Sequence, residues 1–307
     1  MKKVVVTGAN GFIGAHTLQK LCDLEYDIFA IYNSSHPDIQ IKNLNWIKAN
    51  LLNSKEVEHL FNSIKPTHLL HFAWNVQGNY RDSLDNFDWL KASIDILLNF
   101  KNNGGQRAVL AGTCFQYEFI EGVYNEIATP KKPQYIYGIA KEQLQNIFEK
   151  YCKATGLSGA WGYIFHLYGD NEIKSRLIAS VINSLLKNEE TKCSSGEQIR
   201  NYLYVKDVAG AFAAILDSEI QGGINVAANN AIAVKDLVLK IGHLMNKPEL
   251  IQLGAVDSYL KEPEMMIADT NRLYKELNWK SEYDLESGLI ETIKWWQNKS
   301  APVVENG

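Results

Sequence analysis

A strand that ends on glycines restricts this chain to few folds. Lys3-Val4-Val5-Val6-Thr7 is a valine-rich run of the sort a buried parallel strand uses, and it leads directly into Gly8-Ala9-Asn10-Gly11-Phe12-Ile13-Gly14. An amphipathic helical pattern continues from there to about Leu24. Strand, glycine turn and helix in this order are the context of a dinucleotide fingerprint. Glycines permit the tight turn and the close approach of a pyrophosphate, which then faces the N-terminus of the helix. The spacing is Gly-x-x-Gly-x-x-Gly rather than Gly-x-Gly-x-x-Gly. Gly8, Gly11, Phe12, Ile13 and Gly14 are the candidate cofactor-binding positions of this turn.

The next segments continue an alternation of strands and helices. Asp27 to Tyr32 reads as a second strand, and its end is where an NAD-binding chain usually carries a carboxylate for the ribose hydroxyls. Here the residues are Asn33, Ser34, Ser35 and His36, all able to donate to a 2'-phosphate, and no acid is available to repel it. The segment therefore favours NADP(H), with NAD(H) still open. Trp46 to Ala49 reads as a third strand, followed by Asn50 and Leu51 at the expected adenine edge. Asn53 or Ser54 is fit to cap the next helix, which Pro66 closes. His68 to Phe72 is a fourth strand, with His71 expected as a satisfied core histidine. Trp74 follows at the carboxyl end of that strand, the edge where open α/β sheets bind ligands, and is expected in a pocket wall.

Leu84 to Asn102 has a helical apolar pattern that stops at Gly104-Gly105. Ala108 to Ala111 makes a fifth strand and delivers Thr113. A helix bearing Tyr137 and Lys141 runs to Thr155 and stops at Gly156, and Gly159 to Phe165 is the next strand. On that helix Tyr137 and Lys141 share a face. A phenol with a pKa of about 10 is a poor base at neutral pH, and a nearby ammonium favours the phenolate. Beyond this point the alternation gives way to helical patterns at 176–186, 205–216, 234–245 and 285–297, with 299–307 reading as a tail. The expected architecture is α/β: a doubly wound parallel sheet of the Rossmann type over residues 1–168, and a smaller mixed substrate lobe over residues 169–307. Some later elements are expected to return to the main sheet.

Composition narrows the class. The 307 residues are 46% hydrophobic and 21% charged, enough for a large core, and a net charge of -4 leaves no basic footprint for nucleic acid. No apolar run reaches the roughly 20 residues needed to span a bilayer. Cys22, Cys114, Cys152 and Cys193 form no Cys-x-x-Cys pair and accompany no secretory leader, so they are expected to be reduced thiols in a cytoplasmic protein. No metal site is expected.

With Gly8, Gly11, Gly14, Thr113, Tyr137 and Lys141 in this order, the chain resembles the extended short-chain dehydrogenase/reductase family, in its nucleotide-sugar epimerase, dehydratase and reductase branch. His71-Phe72-Ala73, Tyr168-Gly169, the segment from Arg200 to Asp207 and Trp295 extend the resemblance over nearly the full length. The resemblance implies Tyr137 as acid/base at a sugar hydroxyl or ketone, Thr113 as the hydroxyl bonded to the same oxygen, and Lys141 as the residue that holds the nicotinamide ribose and lowers the tyrosine pKa. Phe72 and Ala73 join the cofactor set. His166 matches a position usually held by Asn near the substrate diphosphate, and Arg200 an arginine that binds it; charge-assisted bonds to phosphate suit that role. Trp74, Tyr117, His166, Arg176 and Arg200 form the expected substrate-binding set.

Departures narrow the chemistry further. A 4,6-dehydratase of this branch follows its threonine with Asp-Glu, to move the C5 proton and the leaving hydroxyl; this chain has Cys114-Phe115. The bifunctional epimerase-reductases carry a cysteine two residues after the Ser/Thr, a position occupied here by Phe115. The expected activity is NADP(H)-dependent reduction of the C4 ketone of a nucleotide-linked 4-keto-6-deoxy sugar. A nucleotide-sugar 4-epimerase is the alternative, ahead of a 4,6-dehydratase or a non-catalytic cofactor-binding protein. A homodimer through the helices bearing Tyr137 and spanning 84–102 is also implied.

Overall fold

The computed structural model describes residues 2–257 and 262–300. In chain order the first half contains β1 (Lys3–Thr7), α1 (Gly14–Asp23), β2 (Asp27–Tyr32), β3 (Leu44–Lys48), α2 (Ser54–Ile64), β4 (His68–His71), α3 (Asp85–Asn102), β5 (Arg107–Thr113), β6 (Gly122–Tyr124) and α4 (Ile136–Thr155). The second contains β7 (Ser158–Ile164), β8 (His166–Tyr168), α5 (Leu177–Leu186), β9 (Thr191–Lys192), β10 (Ile199–Arg200), β11 (Tyr202–Tyr204), α6 (Val205–Leu216) and β12 (Gly222–Val226). It ends with β13 (Ile232–Ala233), α7 (Val234–Leu244), β14 (Ile251–Gln252), β15 (Met265–Ala268) and α8 (Leu285–Ser300).

Seven strands form one sheet in the order β3-β2-β1-β4-β5-β7-β12, every neighbouring pair parallel. The strand order reverses between β1 and β4, which opens a ligand crevice at the carboxyl ends of these strands. Both faces are covered, as a parallel sheet requires. Val5, Leu69 and Leu110 pack with Phe61, Phe100 and Phe148 of α2, α3 and α4. Val4, Val6 and Val109 pack with Leu18 and Leu21 of α1 and Phe212 of α6 on the opposite face. Each such fully buried side chain contributes about 1.5–3 kcal/mol. Local signals set the boundaries: the Asn53 side chain accepts from the Lys55 N–H at 3.1 Å to cap α2, and α4 stops at Gly156.

β12 and α6 return to complete the main sheet and its cover. α5, α7 and α8 close instead on a separate apolar cluster that includes Ile182, Ile241, Leu289 and Trp296. A second sheet, β13-β10-β15-β6, joins strands from both halves of the chain, and β8 pairs with β11 in parallel register, His166 opposite Tyr202. The expected tail is helical at Lys299 and Ser300, and its remainder, 301–307, lies outside the described residues. No helix of the described residues is long and apolar enough to cross a membrane.

Candidate active site

The glycine turn and the end of β4 meet through main chain. Gly8 has φ +66°, and a Cβ there would lie 2.8 Å from the Ala73 nitrogen and 2.9 Å from the Phe72 carbonyl carbon. A Cβ on Gly14 would meet Ala9 Cα at 2.8 Å and the Gly8 carbonyl oxygen. No side chain caps the N-terminus of α1, and its first turn carries no acid, so its N–H groups suit an anion. Phe12 and Ile13 pack against the cluster of α5, α7 and α8, and Phe72 sits edge-on to Phe212 at 4.9 Å. Asn33, Ser34, Ser35 and His36 are exposed, the His36 ring 5.2 Å from Tyr32. Leu51 is buried, and the Asn50 side-chain oxygen accepts the Leu52 N–H at 3.1 Å. His71 is a satisfied core histidine, Nδ1 2.7 Å from Thr7 Oγ1 and Nε2 2.9 Å from Ser93 Oγ, and burial pushes its pKa down to about 3.

Thr113, Tyr137 and Lys141 converge at the carboxyl end of β5. Thr113 is the last residue of that strand; its hydroxyl accepts the Phe115 N–H at 3.3 Å and lies beside the Tyr137 phenol. Tyr137 is the second residue of α4, 8% exposed, with Tyr80 at 5.1 Å and Trp74 at 6.2 Å packed at ring edges. One turn on, Lys141 Nζ donates to the Ala111 carbonyl at 2.8 Å and lies 3.8 Å from the Trp74 ring centroid. Trp74 is fixed by its indole N–H, which donates to Asn86 Oδ1 at 2.8 Å.

The electrostatics correct one expectation. Burial raises the Tyr137 pKa, and the Thr113 hydroxyl and Arg176 offset it only in part. Lys141 is not among the groups that lower it. Its ammonium is turned to Ala111, and burial brings its own pKa down to about 7. In a site this dry, desolvation of the phenolate outweighs a neighbouring cation that burial leaves only partly charged near pH 7. Tyr137 is therefore held as a phenol, an acid rather than a base. Cys114 is equally sealed, its thiol pushed up to about 12, chiefly by burial.

Three arginines surround His166. Its Nε2 is buried with no hydrogen-bond partner among the described residues. Burial, followed by Arg200, Arg81 and Arg176, holds its pKa down to about 3. Arg200, on β10, is not a free cation: it is 3% exposed and donates to the Ile199, Pro263 and Glu264 carbonyls, with Glu262 at 3.6 Å. Glu262 also pairs with Arg81 at 3.2 Å. Arg176, just before α5, lies over the Tyr80 ring at 5.3 Å, and faces Glu172, whose carboxyl burial raises to about 8.

Tyr117 departs from its expected position beside substrate. It is fully buried in the core with its hydroxyl donating to Asn225 Oδ1 at 2.7 Å, a partner made available by the return of β12. Tyr80, Arg81, Glu172 and Glu262 were absent from the sequence reading. The first two follow the carboxyl end of β4, the edge at which ligand contacts concentrate, and that position was the available signal. Glu262 had none, since only folding brings it to Arg81 and Arg200. A separate cavity of about 600 Å³ lies farther along α4, lined by residues including Glu126, Lys131, Gln145 and Arg272, and by none of Thr113, Tyr137 and Lys141.

Comparison with known proteins agrees with this fold. Residues 4–228 match the family described as NAD dependent epimerase/dehydratase. CDP-abequose synthase of Salmonella typhimurium is 25% identical, with 95% of this chain and 97% of that protein covered. Among solved structures, UDP-N-acetylglucosamine 4-epimerase from Methanobrevibacter ruminantium, in complex with UDP-N-acetylmuramic acid, superposes with a TM-score of 0.87 at 23% identity, covering 97% of this chain and 99% of that one. The Thermus thermophilus UDP-glucose 4-epimerase complex with NAD gives 0.84 at 20% identity, covering 96% and 99%.

Proposed function

The chain belongs to the NAD dependent epimerase/dehydratase family, a group of nicotinamide-dependent oxidoreductases, and from that premise we propose that it reduces the C4 ketone of a nucleotide-diphosphate-linked 4-keto-6-deoxy sugar with NADP(H). The observation that carries the reading is the Tyr137 phenol, kept protonated by burial and set beside the Thr113 hydroxyl, with no acid at positions 114 and 115. A reductase needs a proton donor at one oxygen; a dehydratase needs further acid/base groups that this chain lacks.

The main-chain cradle from Gly8 to Gly14 and the uncapped start of α1 fit a pyrophosphate, and Lys141 fits the nicotinamide ribose. The acid-free, exposed Asn33 to His36 segment supports a 2'-phosphate. When bound, a reduced nicotinamide supplies the hydride to C4. As the C4 carbonyl electrons move to oxygen, the Tyr137 hydroxyl gives that oxygen its proton and the Thr113 hydroxyl holds it in line. Trp74 and Tyr80 exclude water from the phenol. The positive field of Arg81, Arg176 and Arg200, and the unpartnered His166 Nε2, support a diphosphate beside them.

Exposed Leu84, Phe87 and Leu98 on and just before α3, with Ile139 and Ile147 on α4, support a homodimer closing through these two helices. Purified protein incubated with NADPH and a panel of 4-keto-6-deoxy sugar nucleotides is expected to oxidise the cofactor in step with C4 alcohol formation. Retained NAD with interconversion of sugar nucleotides, and no net cofactor consumption, would assign a 4-epimerase instead.

A further inference from the structure

Gln116 lies fully buried between the end of β5 and α4, and every hydrogen-bonding capacity of its amide is filled. Its Oε1 accepts the Thr113 N–H at 3.0 Å and the Trp161 indole N–H at 3.0 Å. Its Nε2 donates to Gln145 Oε1 at 2.8 Å and Glu142 Oε2 at 3.2 Å. Gln145 is braced in turn, accepting from the Tyr163 hydroxyl at 2.8 Å and donating to Glu149 at 2.7 Å.

Tyr137, Lys141 and Gln145 recur at intervals of four and so lie along one face of α4. That face is tied to the end of β5 at two levels. Lys141 reaches the Ala111 carbonyl, and Gln145 reaches the Thr113 amide through Gln116. The first tie is the one that cofactor binding redirects, because Lys141 is the residue suited to the ribose. The second involves none of the residues assigned to the cofactor. Leucine at 116 would leave the Thr113 N–H, the Trp161 N–H and the Gln145 carbonyl buried without that partner, and glutamate would keep the acceptor while losing both donors beside Glu142.

We propose that Gln116 is a positioning residue, clamping the Thr113 peptide to α4 through Gln145 so that the Thr113 hydroxyl and the Tyr137 phenol meet the same substrate oxygen. The role rests on the assignment of those two groups to a C4 oxygen made above.

Two measurements test it, one of them independent of turnover. Amide exchange at Thr113 is expected to accelerate at least about tenfold in Gln116→Leu, with Leu144 on α4 unchanged. Gln145→Leu should instead leave Thr113 protected. In kinetics, Gln116→Leu should lower kcat about tenfold or more with the sugar-nucleotide KM within about twofold, and Gln116→Glu should lie between it and the parent. In a Thr113→Ala background the same Gln116→Leu change should alter kcat by less than about twofold. Equal losses in both backgrounds, a loss confined to KM, or unchanged Thr113 exchange would overturn the proposal. If Gln116→Leu does not fold, Gln116→Asn, whose amide is one methylene short of these partners, takes its place in both measurements. A parent enzyme without turnover on keto sugars overturns the proposed reaction, and the exchange measurement then decides the clamp by itself.

Discussion

Between Gly8 and Gly14 the surface offered to a ligand is main chain, whereas around His166 it is charge carried on side chains from distant segments. On the first side the fit depends on atoms that are missing, since any Cβ at Gly8 or Gly14 would collide with backbone. On the second it depends on atoms that are present and already paired, with Glu262 between Arg81 and Arg200 and three carbonyls on Arg200. A main-chain cradle is fixed in place and offers only the partial charges of its N–H groups. A side-chain cluster can trade partners when a stronger anion arrives, and its strength falls with ionic strength. Thr113, Tyr137 and Lys141 sit where the two meet.

The largest expected effect comes at that junction. Tyr137→Phe should lower kcat by about 10²–10⁴-fold while leaving NADPH affinity, followed by fluorescence titration, unchanged. A parallel loss of cofactor affinity would mean that the two sides are not separable. Next, Gly14→Ala should weaken the cofactor by about 1–3 kcal/mol, roughly tenfold to a hundredfold, and spare nucleotide-sugar binding. Arg176→Met should do the reverse, raising the sugar-nucleotide KM about tenfold with a reduced salt dependence. Arg200→Met should also lower the melting temperature, because the Ile199, Pro263 and Glu264 carbonyls lose their donor. Equal melting temperatures for the two variants would remove the structural half of the Arg200 account.

Two smaller effects are read in pH. The Lys141 pKa is depressed to about 7 in the fold, so its ammonium is lost as pH rises through that value. Cofactor affinity should be flat below about pH 7, fall above it, and become flat throughout in Lys141→Met. Binding that engages the ammonium should move the break upward. His166 is held near 3 against an ordinary 6.5, so below pH 6.5 the unfolded chain takes up a proton that the native chain refuses. Its contribution to stability is complete above 6.5 and lost as pH falls toward about 3. His166→Asn should flatten that acid limb in chemical denaturation, while His71, similarly depressed, preserves part of it.

Much of this was legible in the chain because it depends on neighbours in sequence. The span of α6, 205–216, and the stop of α4 at Gly156 follow from periodicity and an end signal within a few residues. The sheet β13-β10-β15-β6 escaped, since strands of two to four residues carry no readable period and their partners lie far along the chain, Met265 opposite Ile199 and Met266 opposite Gly122. Tyr117 was misread because its partner, Asn225, arrives with the last strand of the main sheet.

The sequence by itself determined the glycine turn, the order Thr113, Tyr137, Lys141, and the absence of an acid after the threonine, all of them matters of residue identity and short spacing. Tertiary structure alone decided which protons stay where: Tyr137 remains a phenol and Lys141 sits near neutrality because both are stripped of water, and burial outweighs the charge pairing that their spacing suggests. It also decided that Arg81 and Glu262 share the space with Arg200, and that Gln116 joins the strand end to the helix, because these meetings depend on how the chain returns on itself.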